Sequence, residues 1–304
     1  MSDTARAVLL ILTANALYGL GYALAKVMSG ALDPLQITFL RSVLVMLAAT
    51  PFALMAPSPA RAVADALAPP RAWAQRAAAA MLILSTCLGV WAYGLLPVTE
   101  AAALGFTGPI ILTASGALLL RERVGLRGWV AVALGFAGML VIVRPGSEVF
   151  TPAAIVPICS ALTYALYQVM ARRLRGTMGE WGATVQAALA GLVLLGPTML
   201  VLWRPVSWEM GLVVALFAAV QTGGLASLAG AVRRADVSRL APWHYSRLGF
   251  ALLLDMVMFG RTPPLAALAG GVLIACGGLL SLRRKPTPSS PPAVQSPPAP
   301  PTRG

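Results

Sequence analysis

Residues 128–144 read GWVAVALGFAGMLVIVR, and residues 268–284 read LAGGVLIACGGLLSLRR. Each is a near-continuous apolar run, close to the roughly 20 residues that a membrane-spanning helix needs. They align at a constant offset of 140, which sets Gly138 on Gly278 and Arg144 on Arg284. Working outward, apolar runs fall at residues 7–28, 34–55, 77–96, 99–120, 128–145, 152–172, 181–203, 208–230, 238–260 and 264–282. The matched runs are the fifth and the tenth, so they cross the bilayer in opposite directions. Two such halves make an inverted-topology repeat.

Composition points the same way. Of 304 residues, 58% are hydrophobic and 11% charged, with a mean hydropathy of +0.80. A soluble domain carries about 25% charged residues. The chain therefore reads as an all-α integral membrane protein, and a soluble enzyme, a disordered protein and a disulfide scaffold are excluded. Cys87, Cys159 and Cys276 lie singly in apolar runs without CxxC spacing, so they read as packing residues and no metal site is expected. The run after Arg6 is longer than a signal-peptide core and carries Asn15 and Tyr18, so it reads as the first span.

The formal charge of +13 is set by topology rather than by nucleic acid. Seventeen of the 23 basic residues fall on one side: Arg6, the groups Arg61/Arg71/Arg76, Arg121/Arg123/Arg127, Arg172/Arg173/Arg175 and Arg233/Arg234/Arg239, and the end of the chain. The opposite loops hold Arg144, Arg204 and Arg261, with Lys26 at a helix end. The positive-inside rule then places both termini in the cytoplasm of a multi-pass inner-membrane protein. Residues 286–304 hold eight of the 24 prolines and read as a disordered Pro/Ser-rich tail.

The stretch 99–146, TEAAALGFTGPIILTASGALLLRERVGLRGWVAVALGFAGMLVIVRPG, resembles the EamA-like members of the drug/metabolite transporter superfamily. Pro109 and Glu122 occupy that family's helix proline and terminal glutamate. APWHYSRLGFALLLDMVMFGRTPP (241–264) resembles the second-half counterpart, except that Arg261 replaces its glutamate. The resemblance implies ten transmembrane helices in two inverted five-helix repeats around a central cavity. The expected divisions are a first repeat over 1–146, a second over 147–285 and the tail over 286–304.

Polar groups inside a membrane are costly and mark interiors or pathways. Asn15, Tyr18, Tyr22 and Lys26 share one helix face, as do Ser160, Thr163, Tyr164 and Tyr167, with Gln168 at the edge. His244, Arg247, Ala251 and Asp255 form a third stripe, and Trp91, Tyr93, Gln221 and Thr222 add separate points. Tyr22, Trp91 and Tyr93 lie near helix ends, where aromatic belts explain them as readily as a ligand. The serines and threonines are as readily accounted for by backbone bonding. From these residues, Asn15, Tyr18, Trp91, Tyr164, Tyr167, Gln168, Gln221, His244 and Arg247 are taken as candidate substrate contacts. Arg41 and Asp255 are read as an ion pair or a coupling site. Pro109 and Pro242 interrupt matching helices and are candidate hinges.

The expected activity is secondary transport of a small organic metabolite by alternating access. The surplus of Arg41 and Arg247 over Asp255 inclines the choice toward an anionic or zwitterionic compound, such as an amino acid or a cofactor-like molecule. The partners are then substrate and lipid, without cofactor or nucleic acid. No GxxxxGK[ST] loop is present, so ATP does not act directly. The alternatives are an intramembrane enzyme, built on Ser115 in the run Thr113–Gly116 with His244 as base, and a non-transporting scaffold. Neither a catalytic motif nor an extramembrane domain supports them.

Overall fold

The computed structural model describes residues 3–55, 58, 63–64, 66–105, 107–108, 111, 114–115, 126–143, 151–174, 180–232, 246–260, 262 and 264–282. Among these the regular structure is helical throughout, without a strand. The longer helices are α1 (Asp3–Ser29), α2 (Pro34–Leu54), α3 (Ala72–Leu95), α4 (Val98–Gly105), α5 (Leu126–Val143), α6 (Ile155–Arg173), α7 (Glu180–Leu195), α8 (Trp208–Val232), α9 (Ser246–Phe259) and α10 (Leu265–Leu282). Each of the ten apolar runs overlaps one of them, α4 covering only the start of the run 99–120. The stretches Ala5–Ser29, Pro34–Pro51, Ala72–Leu95, Pro152–Ala171 and Trp208–Leu228 are long and apolar enough to cross a membrane.

Local chemistry sets the helix ends. The Asp33 carboxylate accepts the N–H of Leu35 at 2.8 Å, and Pro34 occupies the first helical position of α2. This is an acidic cap followed by a residue with no N–H to leave unsatisfied. Ser207 Oγ likewise accepts the Met210 N–H at the start of α8. Beyond α9, Gly260 takes a left-handed φ of 62° and its N–H reaches the Met256 carbonyl, a glycine helix stop. The apolar run 181–203 is not one helix. α7 ends at Leu195, Gly196 and Pro197 follow, and a single turn resumes at Met199–Leu202, because Pro197 has no N–H to continue the ladder.

The apolar surface is arranged outside-in. Large hydrophobic side chains such as Leu200 (90% exposed), Val257 (74%) and Leu47 (63%) face outward, whereas Asn15, Gln36, Thr38 and Asp255 are buried. In water an apolar shell on this scale would drive association. In lipid it is the expected exterior. Between helices, small residues permit close approach. A Cβ on Gly191 of α7 would overlap Ser42 Oγ of α2, and one on Gly94 of α3 would lie 2.9 Å from Ser29 of α1.

The helices pair in a regular way. α1 packs along α8 and α9, and α6 packs along α3 and α4. α3 also meets α7, and α8 meets α2. The remaining strong pairs are α2 with α7, α4 with α9, α5 with α10, and α3 with both α1 and α2. Numbering the second five helices as copies of the first, most of these contacts are matched by an exchange partner or map onto themselves, whereas α1–α3 and α2–α3 have no comparable counterpart among the described residues.

Candidate functional site

The first turns of α9 meet the middle of α1, and there the sequence's polar stripes converge. Arg247 Nε donates to Asn15 Oδ1 at 3.4 Å, and Arg247 Nη1 donates to Tyr22 Oη at 3.2 Å. Its guanidinium lies 4.5 Å from the ring centroid of Tyr18, a cation–π contact. Asn15 in turn donates through Nδ2 to Ser246 Oγ at 2.9 Å. The spacing of Asn15, Tyr18 and Tyr22 along α1 turns all three toward the same residue of α9, as helical geometry requires.

Further tyrosines close around this core. Tyr22 stacks on Tyr93 of α3 with centroids 4.4 Å apart and planes within 17°. Tyr164 of α6 is an electrostatic neighbour of Arg247 and Tyr22, and its ring sits 5.8 Å from that of Tyr167. Tyr164 is 42% exposed. It lies two residues from the exposed Leu162, about 200° around the helix, so its open surface faces inward rather than toward lipid. Tyr167 leans instead onto Ala74, Ala78 and Leu174.

Arg247 has only neutral partners among the described residues. Arg41 of α2 is an electrostatic neighbour of the same Tyr18 that Arg247 covers, and its buried Nε has no hydrogen-bond partner. A membrane-embedded arginine costs at least about 2.5–3.5 kcal/mol on insertion scales. The carboxylate that could offset one of these charges points elsewhere. Asp255 is 2% exposed and its Oδ1 accepts the N–H of Val98, at the start of α4, at 3.2 Å. The structure therefore does not join Arg41 to Asp255. The ion pair read from their similar depth is replaced by a carboxylate capping a helix N-terminus, where four N–H groups lack intrahelical partners.

Lys26 is also structural. Its Nζ donates to the carbonyls of Tyr93 at 3.1 Å and Leu96 at 2.6 Å, at the C-terminal end of α3. Ser160 and Ser85 exchange hydrogen bonds across α6 and α3, each hydroxyl donating to the other's carbonyl at 2.8 and 2.9 Å. Thr163 bonds the Cys159 carbonyl of its own helix.

The other sequence candidates divide. Gln221 of α8 faces Gly21 of α1, and its buried Oε1 has no hydrogen-bond partner. Gln168 is half-buried on α6. Trp91 is not brought to the cluster. It is 48% exposed with Leu84 and Leu95 on one stripe of α3, about 200° around the helix from Tyr93. His244, Pro109 and Pro242 lie outside the described residues, as do Glu122, Arg261 and the tail. Tyr22, Tyr93 and Ser246 take part although none was singled out as a ligand contact. Tyr22 and Tyr93 were obscured by their closeness to helix ends, and Ser246 by standing off the Arg247 stripe.

A family model described as the EamA-like transporter family matches residues 5–144. A protein of Rhizobium johnstonii named riboflavin transporter is 30% identical over 222 residues, 67% of this chain and 69% of its own. One of the same name from Vibrio cholerae is 31% identical over 64% of this chain and 66% of its own length. A Rickettsia prowazekii protein named S-adenosylmethionine uptake transporter is 25% identical over 64% of this chain and 66% of its own. A solved crystal structure superposes with a TM-score of 0.61 at 20% identity, over 91% of this chain and 96% of that one. That likeness is one of fold. Together the family match and the transporter-named relatives point to a transporter and not to an enzyme.

Proposed function

The chain belongs to the EamA-like transporter family, and on that premise we propose that it is a secondary transporter carrying a small organic metabolite across the cytoplasmic membrane by alternating access. Ten spans form two inverted repeats, 1–146 and 147–285, with both termini and the tail 286–304 in the cytoplasm. The charge distribution of the loops supports this orientation. The matched pairs α1–α8 with α6–α3, α1–α9 with α6–α4 and α2–α8 with α7–α3 support the repeat, the arrangement expected when two halves rock about a shared central site.

The observation that carries the reading is Arg247. It is held by Asn15, Tyr22 and Tyr18, which are all neutral, so a ligand that brings negative charge completes the site. Anionic or zwitterionic metabolites are therefore preferred. Asn15, Tyr18, Tyr164 and Arg247 contact them, with Gln168 and Gln221 as further contacts. Pro109 and Pro242 act as hinges, and His244 as a further contact near the cytoplasmic end. Asp255 caps the start of α4 through Val98.

The test is uptake into proteoliposomes of a labelled metabolite panel that includes riboflavin, S-adenosylmethionine and amino acids, with and without a pH gradient. Saturable uptake of at least one compound, lost in Arg247→Ala and retained in Asp255→Asn, is the expected result. Equal flux in wild type and Arg247→Ala would remove the site. Absence of flux for the whole panel, from protein shown to be folded, would count against transport itself.

A further inference from the structure

The helix contacts break the symmetry of the two halves in one place. α3 packs on α6 and α7, and its copy α8 packs on α1 and α2. α3 also reaches across to α1 and α2, whereas α8 makes no comparable contact with α6 or α7 among the described residues. The extra contact of α3 with α1 is a seam two turns long. Tyr22, Lys26 and Ser29 share one face of α1. Tyr22 stacks on Tyr93 at 4.4 Å, Lys26 Nζ donates to the Tyr93 and Leu96 carbonyls, and Ser29 fits against Gly94. Lys26 Nζ also lies 5.9 Å from the ring centroid of Phe259, at the end of α9. Beneath this seam Val98 and Ala251 are completely buried, packed with Tyr22, Tyr93 and Phe259. The bundle is shut at the end that holds the Leu96–Pro97 turn.

The other end differs. α6 starts beside Leu96, through Val156, and ends beside the first turns of α3, where Leu174 meets Ala74 and Ala78. The exposed Leu162 marks its lipid side. Tyr164 and Ala171, seven residues apart on one stripe and about 180–200° around from Leu162, are exposed as well. An exposed face turned away from lipid is an opening between helices, and α6 is a helix that α8 does not reach.

The seam is built to release. The last carbonyls of a helix lack N–H partners, so a cation there makes charge-assisted bonds without competing for the helical ladder. When the seam parts, water takes both the ammonium and the carbonyls, and no buried polar group is orphaned.

We propose that the α1–α3 seam is a gate of the transport path, fastened by Lys26, and that its opening is coupled to closure of α8 on α6 at the opposite end. This rests on the transporter reading and its inverted repeat, in which exchanging the contacts of the two halves gives the second state. Lys26 fastens one state rather than the fold as a whole, and it touches no substrate.

The test is thiol labelling of the full-length chain in lipid nanodiscs, where both faces are accessible, by a charged methanethiosulfonate. In a chain carrying Cys87→Ala, Cys159→Ala and Cys276→Ala, single reporters are introduced by Ala251→Cys beneath the seam, Ala171→Cys in the opposite opening and Ser42→Cys in the α2–α7 contact. The Ala171→Cys chain is expected to react at least about tenfold faster than the Ala251→Cys chain, and Lys26→Met should raise the latter rate by about tenfold or more. Lys26→Arg, which can donate to the same carbonyls, should keep it low. Ala171→Trp, a wedge in the far opening, should bring the raised rate in Lys26→Met back down. The Ser42→Cys rate should stay low throughout.

Equal Ala251→Cys rates with and without Lys26→Met would overturn the proposal, as would wild-type rates as fast as those of Ala171→Cys. A parallel rise at Ser42→Cys would make Lys26 a general support of the fold and also overturn it. A raised rate that Ala171→Trp leaves unchanged would separate the two ends and remove the coupled gate. Flux of the metabolite panel is measured in parallel. Flux with unchanged labelling removes the gate and leaves the transporter reading standing, whereas absence of all flux from the folded wild-type chain removes the reading and the gate with it.

Discussion

Lys26 and Asp255 hold the two sides of one turn. Lys26 donates to the last carbonyls of α3, at Tyr93 and Leu96, and Asp255 accepts the first N–H of α4, at Val98. A cation thus sits at a helix C-terminus and an anion at the next helix's N-terminus, the sense in which both macrodipoles are stabilised. The residues come from α1 and α9, so the Leu96–Pro97 turn ties the first half of the chain to the second.

Asp255→Leu should lower stability by about 1.5–3 kcal/mol, the usual worth of a hydrogen bond to a charged group. Asp255→Asn keeps a carbonyl acceptor and should lose less than half of that. Thermal unfolding in detergent measures both. Equal melting temperatures for wild type and Asp255→Leu would show that the cap contributes nothing.

The close crossing of α2 and α7 gives a second expectation. Gly191→Ala pushes a methyl group into Ser42 Oγ, an overpacking that typically costs about 1–3 kcal/mol. Ser42→Gly in the same chain should recover most of the loss. A double-mutant cycle with no coupling would mean that the helices separate freely there.

Tyr22→Phe removes the hydroxyl that accepts from Arg247 Nη1 but keeps the ring stacked on Tyr93. It should weaken substrate affinity by about three- to tenfold, the equivalent of one hydrogen bond of 0.5–1.5 kcal/mol, without changing thermal stability by a comparable amount. A rise in KM with little change in maximal uptake would be its signature.

Ser85 and Ser160 should behave as structure alone. Their reciprocal bonds join α3 to α6, so Ser85→Ala and Ser160→Ala should each cost about 0.5–1.5 kcal/mol and together less than the sum. Uptake should persist in both. Trp91→Leu should likewise leave uptake unchanged, since Trp91 shares the outer stripe of Leu84 and Leu95.

The sequence by itself determined class and family: the apolar runs, the proline and glycine stops and the wording of residues 99–146 follow from local composition and need no partner to be read. It also determined which residues share a helix face, because a 3.6-residue period is a property of one helix. This is why Asn15, Tyr18 and Tyr22, and separately Arg247, Ala251 and Asp255, were legible as stripes. Which stripe meets which was decided only by the tertiary structure. Depth alone suggested Arg41 for Asp255, yet the packing of α9 on α4 gives that carboxylate to Val98 and leaves Arg41 beside Tyr18. Trp91 and Tyr93, two residues apart, were equally plausible in one dimension. The rotation of α3 in the bundle sends one toward lipid and the other onto Tyr22, because a partner is fixed by the orientation of helices far apart in sequence and not by the residues next to it.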